Sequence, residues 1–342
     1  MATNLYAVQA RLASLRGIEW LRRNLTEDGC YGIQGLLPHY KTPMALATSG
    51  YPEQARAAIS WIAQRYTGSD WHTSDPQNTA AIARQCDAYE NLWLAWGAQR
   101  SGMTREARGF YGRCRDLQDP VTGGVRSRVD ALSVDLYDLR STALTGLVGL
   151  SIGDEQAVSH AAEFTLRLME DQPDTSRGFF LVRDGKGQLI TSFPEGDARL
   201  FVVGFAQRQH DPLYYALALG MAFLATVYDQ YGEAEFLSGA RRYAAECMAR
   251  TNWILRHHYT GKIGWGMSLL YRITGEHQYR AMAEQAVSYL LRTQLASGAW
   301  WIPTLYESFD DQPRAVTLDR SAEHALWLRL FSDTFRAEGT PS

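Results

Sequence analysis

Cysteine is scarce in this sequence: Cys30, Cys86, Cys114 and Cys247 are its four, and no two form a CxxC pair. A disulfide framework is not expected in a chain this long, and the spacing does not suit a zinc knuckle. Free, buried or half-buried thiols in a reducing cytoplasm are expected instead. Charge of one sign is equally lacking. Lys plus Arg number 34 against 37 Asp plus Glu, a net charge of -3, and no five like charges run together. That balance gives no electrostatic reason to expect nucleic acid or an anionic membrane as partner, and no charged interaction tail. Residues 1–6 show no basic segment followed by an apolar stretch, so no secretory leader is expected. The most apolar run, Tyr214 to Val227, is interrupted by Gly220 and too short to span a bilayer. Nucleotide-binding glycine loops, GxSxG elbows and HExxH pairs are missing too, which leaves hydrolase triads and metalloprotease chemistry without support.

Aromatic residues, by contrast, are plentiful: 10 Trp, 18 Tyr and 12 Phe make 12% of the 342 residues. They build packed interfaces, and they line pockets for apolar or sugar substrates. With 46% hydrophobic and 21% charged residues the balance is otherwise that of a globular protein with a sizeable core.

The order along the chain is repetitive. Six times an amphipathic stretch is followed by a polar, Gly-containing turn and then by a more apolar stretch that usually stops at Gly. The six pairs are 5–25 with 39–50, 52–66 with 85–102, 104–117 with 138–153, 155–171 with 210–232, 234–255 with 258–275, and 277–295 with 319–335. The first member of each pair carries apolar residues at 3–4 spacing, as surface helices do. The second, such as Leu213 to Ala225, is apolar nearly all round, as a helix buried on every side must be. Gly50, Gly102, Gly153, Gly232 and Gly275 fall where left-handed caps would stop the buried helices. One ring of helices inside another closes six such pairs economically. The expectation is one all-α domain over residues 1–342, an (α/α)6 toroid with a pocket at its centre, rather than an open solenoid.

One stretch breaks the pattern. Around Asp184-Gly-Lys-Gly187 the residues alternate, which predicts a short inserted β-hairpin over about 178–195, with a lid over the ring as its expected role.

At the sixth pair, Gln294-Leu-Ala-Ser-Gly298-Ala-Trp300 fits QxxxGxW, with weaker echoes at Asn24 to Tyr31 and at Gln118 to Gly124. On these residues the chain resembles the α/α-toroid superfamily of terpenoid cyclases and protein prenyltransferase β subunits. The resemblance implies the toroid; its motif stabilises the scaffold and carries no chemistry. The activities of both families are not implied. The nearest counterparts of a DxDD acid, Asp135 to Asp138 and Asp310-Asp311, do not fit it, and no cysteine follows Asp138 where a zinc ligand is required. No metal and no cofactor are expected. The fold also hosts isomerases and dehydratases, and related twelve-helix barrels include sugar epimerases and unsaturated glycoside hydrolases.

In a closed toroid the inner helices run parallel, so their N-termini and free N–H groups share one rim. The polar residues predicted there are His39, Tyr40, Lys41, Asp87, Tyr89, Asp138, Arg140, His210, Asp211, Tyr214, Tyr215, His258, Tyr259, Lys262, Trp265, Asp319, Arg320, Glu323 and His324, with four of the eight histidines among them. Asp138 and Asp319 could equally be helix caps, and Asp319, Arg320 and Glu323 a buried ion network. His257 and His258 are expected to diverge, leaving one of them structural. The functional reading is acid–base chemistry: a carboxylate kept protonated by apolar walls donates while a His or Tyr accepts. Catalytic roles fall to Asp87, Asp138, His210, His258 and Asp319, and substrate binding to His39, Tyr40, Lys41, Tyr89, Tyr214, Trp265, Glu323 and His324. The expected partner is a small-molecule substrate. The first expectation is a cyclase, isomerase or lyase shaping a largely apolar terpenoid- or polyketide-type metabolite, as in secondary metabolism. A carbohydrate epimerase or glycoside hydrolase is the alternative, followed by a non-catalytic binding toroid.

Overall fold

The computed structural model describes residues 5–75, 87–127, 135–193, 201–203 and 212–336. Twelve helices of the expected rings lie among them. The outer ones are α1 (Leu5–Asn24), α3 (Pro52–Tyr66), α5 (Thr104–Arg115), α7 (Glu155–Glu170), α9 (Ala234–Met248) and α11 (His277–Thr293). The inner ones are α2 (Thr42–Thr48), α4 (Asp87–Arg100), α6 (Leu139–Ile152), α8 (Tyr215–Tyr231), α10 (Thr260–Thr274) and α12 (Arg314–Arg336). The outer helices bury one stripe: α5 buries Ala107, Phe110, Tyr111 and Cys114 and leaves its arginines to solvent. In the inner helices burial is continuous, from Leu139 to Gly149 in α6 and from Thr260 to Leu270 in α10. Each inner helix packs on the next, and α12 packs on α2, so the ring closes. The helices nearest the two chain ends, α1 and α12, also pack together extensively. An open solenoid has neither contact.

The two ends of the toroid differ in their connections. Inner-to-outer links are short. Gly153, at φ 86°, adopts a conformation that costs a residue with a Cβ, caps α6 through the Gly149 carbonyl, and hands over to α7 at Glu155. Outer-to-inner links are long, and all lie at the end where the inner helices begin.

The Gln294 turn shows the physics of its motif. Gln294 Nε2 donates to the carbonyls of Ala13 in α1 (2.8 Å) and Gly298 (3.1 Å), and the Trp300 indole donates to Leu290. Gly298 sits at φ 101°, and a Cβ there would lie 2.4 Å from the Arg16 carbonyl oxygen. The turn after α11 is thus pressed against α1, across the seam between the chain's ends. Gln118 repeats the arrangement on the Gly123 and Ala157 carbonyls, so the weaker echo is also a structural one. Gly298→Ala is therefore expected to lower stability by about 2–4 kcal/mol. Gly50→Ala, at φ 91° with open space around the added Cβ, should cost only about 1–2 kcal/mol. Urea unfolding of the two variants checks the difference, and equal costs would remove the close approach from the account.

The predicted hairpin differs in detail. Its turn is present: the Gly187 amide donates to the Asp184 carbonyl at 2.9 Å, and Arg183 bridges Leu189. Its first arm, however, joins a wider sheet. β1 (Val125–Ser127), β2 (Leu136–Asp138) and β4 (Val182–Asp184) form a three-stranded antiparallel sheet. β3 (Phe179–Phe180) pairs with β5 (Val202–Val203). The insertion is thereby stitched to the strand that leads directly into α6, and is not a free-standing lid. Among the described residues no helix is long and apolar enough to cross a membrane.

Candidate active site

The rim gathers its charges on one stripe of α12. Asp319, Arg320, Glu323, His324 and Trp327 recur at intervals that keep them on one side of a helix. α12 begins at Arg314, so Asp319 lies in its second turn and is not a cap. Lys41, immediately before α2, places its Nζ 2.9 Å from Asp319 Oδ1 and 2.6 Å from Glu323 Oε2. Lys262, in the first turn of α10, pairs with the other Glu323 oxygen. Arg320 donates to Glu323 Oε2 at 2.7 Å and to the Tyr259 hydroxyl at 3.0 Å. Side-chain exposure is 3% or less for Lys41, Lys262, Asp319 and Glu323, and 14% for Arg320, so Arg320 is the member nearest to solvent.

Aromatic rings wall this cluster. Lys262 Nζ lies 4.9 Å from the Tyr259 ring centre, 5.1 Å from Tyr215 and 5.4 Å from Trp327, distances at which a ring face attracts a cation. Four tryptophans from three inner helices close a box. Trp93 neighbours Trp96 (6.1 Å) and Trp327 (5.7 Å), while Trp265 stacks on Trp327 (5.2 Å) and meets Trp96 (6.4 Å). Tyr40 and Tyr89 meet edge to face at 6.3 Å. Burial lowers the Lys41 pKa to about 8, opposed by Asp319 and assisted by Arg320. Burial, then Lys41 and Arg320, hold that of Lys262 well below the usual lysine value.

Two histidines complete the arrangement. His258 and His257 do not diverge: their rings lie 4.0 Å apart, because both precede α10 in a turn and not in a helix. His258 Nδ1 lies 3.2 Å from Thr304 Oγ1, and no bond to its Nε2 occurs among the described residues. His324 donates from Nε2 to the His258 carbonyl at 2.8 Å, while its buried Nδ1 has no partner among them. Burial, reinforced by Arg320, holds His258 well below the usual imidazole range; burial with Arg320 and the two lysines brings His324 to about 3. Neutral His324 therefore carries its proton on Nε2 and a bare lone pair on Nδ1.

The remaining predicted site residues lie elsewhere. Asp138 caps α6, accepting from the amides of Arg140 and Ser141, and is clasped by the Arg140 guanidinium at 2.5–3.0 Å. It is the anticipated cap and presents no free acid. His39 is held at both nitrogens, Nδ1 on the Gly35 carbonyl and Nε2 receiving the Tyr31 amide, so it braces the turn before α2. Tyr214 packs edge-on against Trp253 and His257. Asp87 opens α4, but its side chain lies outside the described residues, as do His210 and Asp211 entirely. Asp319 and Glu323 lie against cationic nitrogens rather than against the purely apolar walls expected around a proton donor.

Burial also brings the His39 pKa to about 4. A histidine that is neutral when folded and titrates near 6.5 when unfolded binds more protons in the unfolded state between those values. Stability is thus whole above about pH 6.5 and falls as pH drops toward 4. The loss from His39 alone is about 2 kcal/mol between pH 6.5 and 5, with further losses from His258 and His324. Urea titrations at pH 7 and 5 should show this drop, and His39→Gln should reduce it by about the His39 share while leaving the part due to His258 and His324.

No family model matches the chain, and no curated sequence matches it significantly. Solved structures do match over its whole length. A D-mannose isomerase aligns with TM-score 0.69 and 9% identity, covering 96% of this chain and 99% of its own. A GH76 α-mannanase from Bacteroides thetaiotaomicron aligns at 0.64 and 13%, covering 99% and 98%. An unsaturated glucuronyl hydrolase specific for heparin aligns at 0.62 and 12%, covering 96% and 98%. All three have the (α/α)6 toroid fold, and the names of all three describe enzymes of sugars. The toroid is shared with them. The terpenoid-cyclase branch of the resemblance gains no support.

Proposed function

We propose that this chain is a cofactor-independent carbohydrate isomerase or epimerase, moving a proton at the carbon next to the carbonyl of an open-chain sugar. The observation that carries this reading is the histidine pair beside the cations. Among the described residues His258 and His324 are each anchored through one ring nitrogen and unbonded at the other, within electrostatic reach of Lys262 and Arg320. In the proposed step His258 Nε2 takes the proton, and the C–H electron pair moves into the carbonyl to leave an enediolate. The cationic nitrogens stabilise the new oxyanion. The hydroxyl proton then passes from the C2 oxygen to the C1 oxyanion, and the imidazolium returns the abstracted proton to C1, giving the ketose and restoring neutral His258. Return of a solvent proton to the opposite face of C2, with the imidazolium losing its proton to solvent, gives the epimer. The aromatic walls offer flat apolar surfaces to the sugar's C–H faces.

The alternatives fit the same residues less well. Glycoside hydrolysis needs one protonated carboxyl and one free carboxylate, whereas Asp319 and Glu323 share Lys41. A largely apolar terpenoid would leave the cations nothing to bind. The test is solvent exchange. D-mannose, D-fructose and D-glucuronate incubated with the protein in heavy water should take up deuterium at the carbon next to the carbonyl, followed by NMR. Release of reducing ends from a mannan or a glycosaminoglycan without such exchange would overturn the isomerase reading in favour of a hydrolase.

A further inference from the structure

We infer that the outward face of α1 is a self-association surface, on which two copies of this chain pair antiparallel about a two-fold axis. The inference is independent of the reaction proposed above. Its first observation is a reversal of the usual outer-helix pattern. Against the ring α1 sets mostly small residues, Ala7, Ala10, Ala13, Ser14 and Gly17. Its large aliphatic residues Leu5, Val8, Leu12 and Leu15 face solvent instead, with 65, 42, 52 and 38% exposure. In the other five outer helices every exposed position is polar or alanine. On α7, for example, these positions are Glu155, Gln156, Ser159, Glu163, Arg167 and Glu170. Among the described residues seven large hydrophobic side chains are exposed; the three outside α1, Val121, Tyr231 and Leu305, are far apart in sequence. Single exposed hydrophobics are ordinary, but a stripe of four on one helix marks a contact surface.

The second observation is the spacing. Steps of three, four and three residues are those of the a and d positions in a two-helix coiled coil, so the four side chains form one seam. The order also reads the same from both ends. About position 10, Leu5 mirrors Leu15 and Val8 mirrors Leu12. An antiparallel second copy therefore meets each apolar residue with another, twice over, and such an isologous contact closes at two chains. No like charges are brought together. From Leu5 to Leu15 the exposed residues are those four and the neutral Gln9. Arg11, beside the axis, is paired with Asp333 of its own chain at 3.3 Å. Further out, Arg16 donates to Gln294, and Glu19 is matched by Arg22 and Arg23. The four side chains expose on the order of 400 Å², the size of patch that marks interaction sites. With their flanks, two copies cover about 1,000 Å² in total, the lower limit of specific interfaces. The expected dimer is accordingly weak, with a micromolar dissociation constant.

Sedimentation equilibrium of the intact protein from about 1 to 200 µM tests this. The apparent mass should rise from one chain toward two. Leu12→Glu should hold it at one chain throughout, because each copy would set a carboxylate against Val8 of the other. The double variant Val8→Lys with Leu12→Glu sets opposite charges face to face at both layers and should recover the dimer; parallel pairing would instead oppose like charges. All these positions are exposed, so urea midpoints at about 1 µM, where the chain is single, should match the parent's. A mass of one chain at every concentration would overturn the inference, as would a dimer that Leu12→Glu leaves intact. Failure of the double variant to recover would overturn the antiparallel pairing. A single chain that pellets with anionic lipid vesicles would overturn it in favour of a membrane surface as the occupant.

Discussion

Replacing His258 with glutamine is expected to lower the rate of proton exchange by a factor of about 10² to 10⁴, the contribution of a positioned general base. Glutamine fills a similar volume and can keep the contact to Thr304 Oγ1, 3.2 Å from the ring nitrogen in the native chain, but it cannot take a proton. His324→Gln should cost less, because His324 holds the His258 carbonyl and so acts on the position of that segment. The pH profile adds a second check. His258 titrates well below the usual imidazole value, so it stays unprotonated across neutral pH and its acid limb lies far down. Lys41 titrates near 8, and losing its proton removes one charge that would stabilise the enediolate. The rate should be level from about pH 6 and fall as pH rises through 8, and in Lys41→Met that alkaline fall should vanish. Full activity in His258→Gln, measured by deuterium uptake, would remove the proposed base.

The largest effect on stability is expected at Glu323. Its two oxygens receive Lys41, Lys262, Arg320 and the Trp327 indole, all within one buried cluster. Glu323→Gln leaves three cations facing Asp319, and breaking a buried ion network from one side costs about 3–5 kcal/mol. Lys41→Met also breaks buried pairs, leaving Asp319 Oδ1 without its 2.9 Å partner, but it removes a cation that burial already opposes and leaves Glu323 two other donors, so it should cost less, about 1–2 kcal/mol. The contrast, read by urea unfolding of both variants at pH 7, separates charge balance from simple loss of contacts. Equal destabilisation by the two would mean that the cluster is neutral as built, with a further counter-charge such as the buried carboxylate Glu90 beside Tyr40.

How much of this was legible in the sequence varies with distance along the chain. The toroid was, because apolar periodicity and glycine stops are local, and six repetitions of one hairpin have few ways to close. Gln294 and Gln118 were readable as turn devices for the same reason. The start of α12 was misplaced because Asp319 looked like a cap, although Pro313 immediately before Arg314 marks the true first turn. The divergence expected of His257 and His258 assumed a helix that begins only at Thr260. Arg320 was legible as part of an ion network with Asp319 and Glu323, whereas Lys262 and Tyr259 were placed on the rim but not given a role, because nothing local says that Glu323 and Arg320 of another helix will lie beside them. Of the tryptophan box only Trp265 was foreseen, as a substrate-binding residue of the rim. Trp93, Trp96 and Trp327 each read as ordinary core within their own helix, and the meeting of all four is a property of the closed ring. Asp138 was legible as a cap, and Arg140 two residues on explains why it is nothing more.

The contact between α1 and α12 carries a consequence for topology. α12 is an inner helix and ends at the short-turn face; α1 is an outer helix and begins there. The gap between Arg336 and Leu5 therefore occupies the place that Gly50, Gly102, Gly153, Gly232 and Gly275 occupy in the other five links. The fold has no intrinsic first repeat: it is a cyclic arrangement cut at one of six equivalent positions. A circular permutant joined across that gap and reopened at Gly153 or Gly232 would keep every long connection on the opposite face, and with it the charges, the histidines and the box of tryptophans.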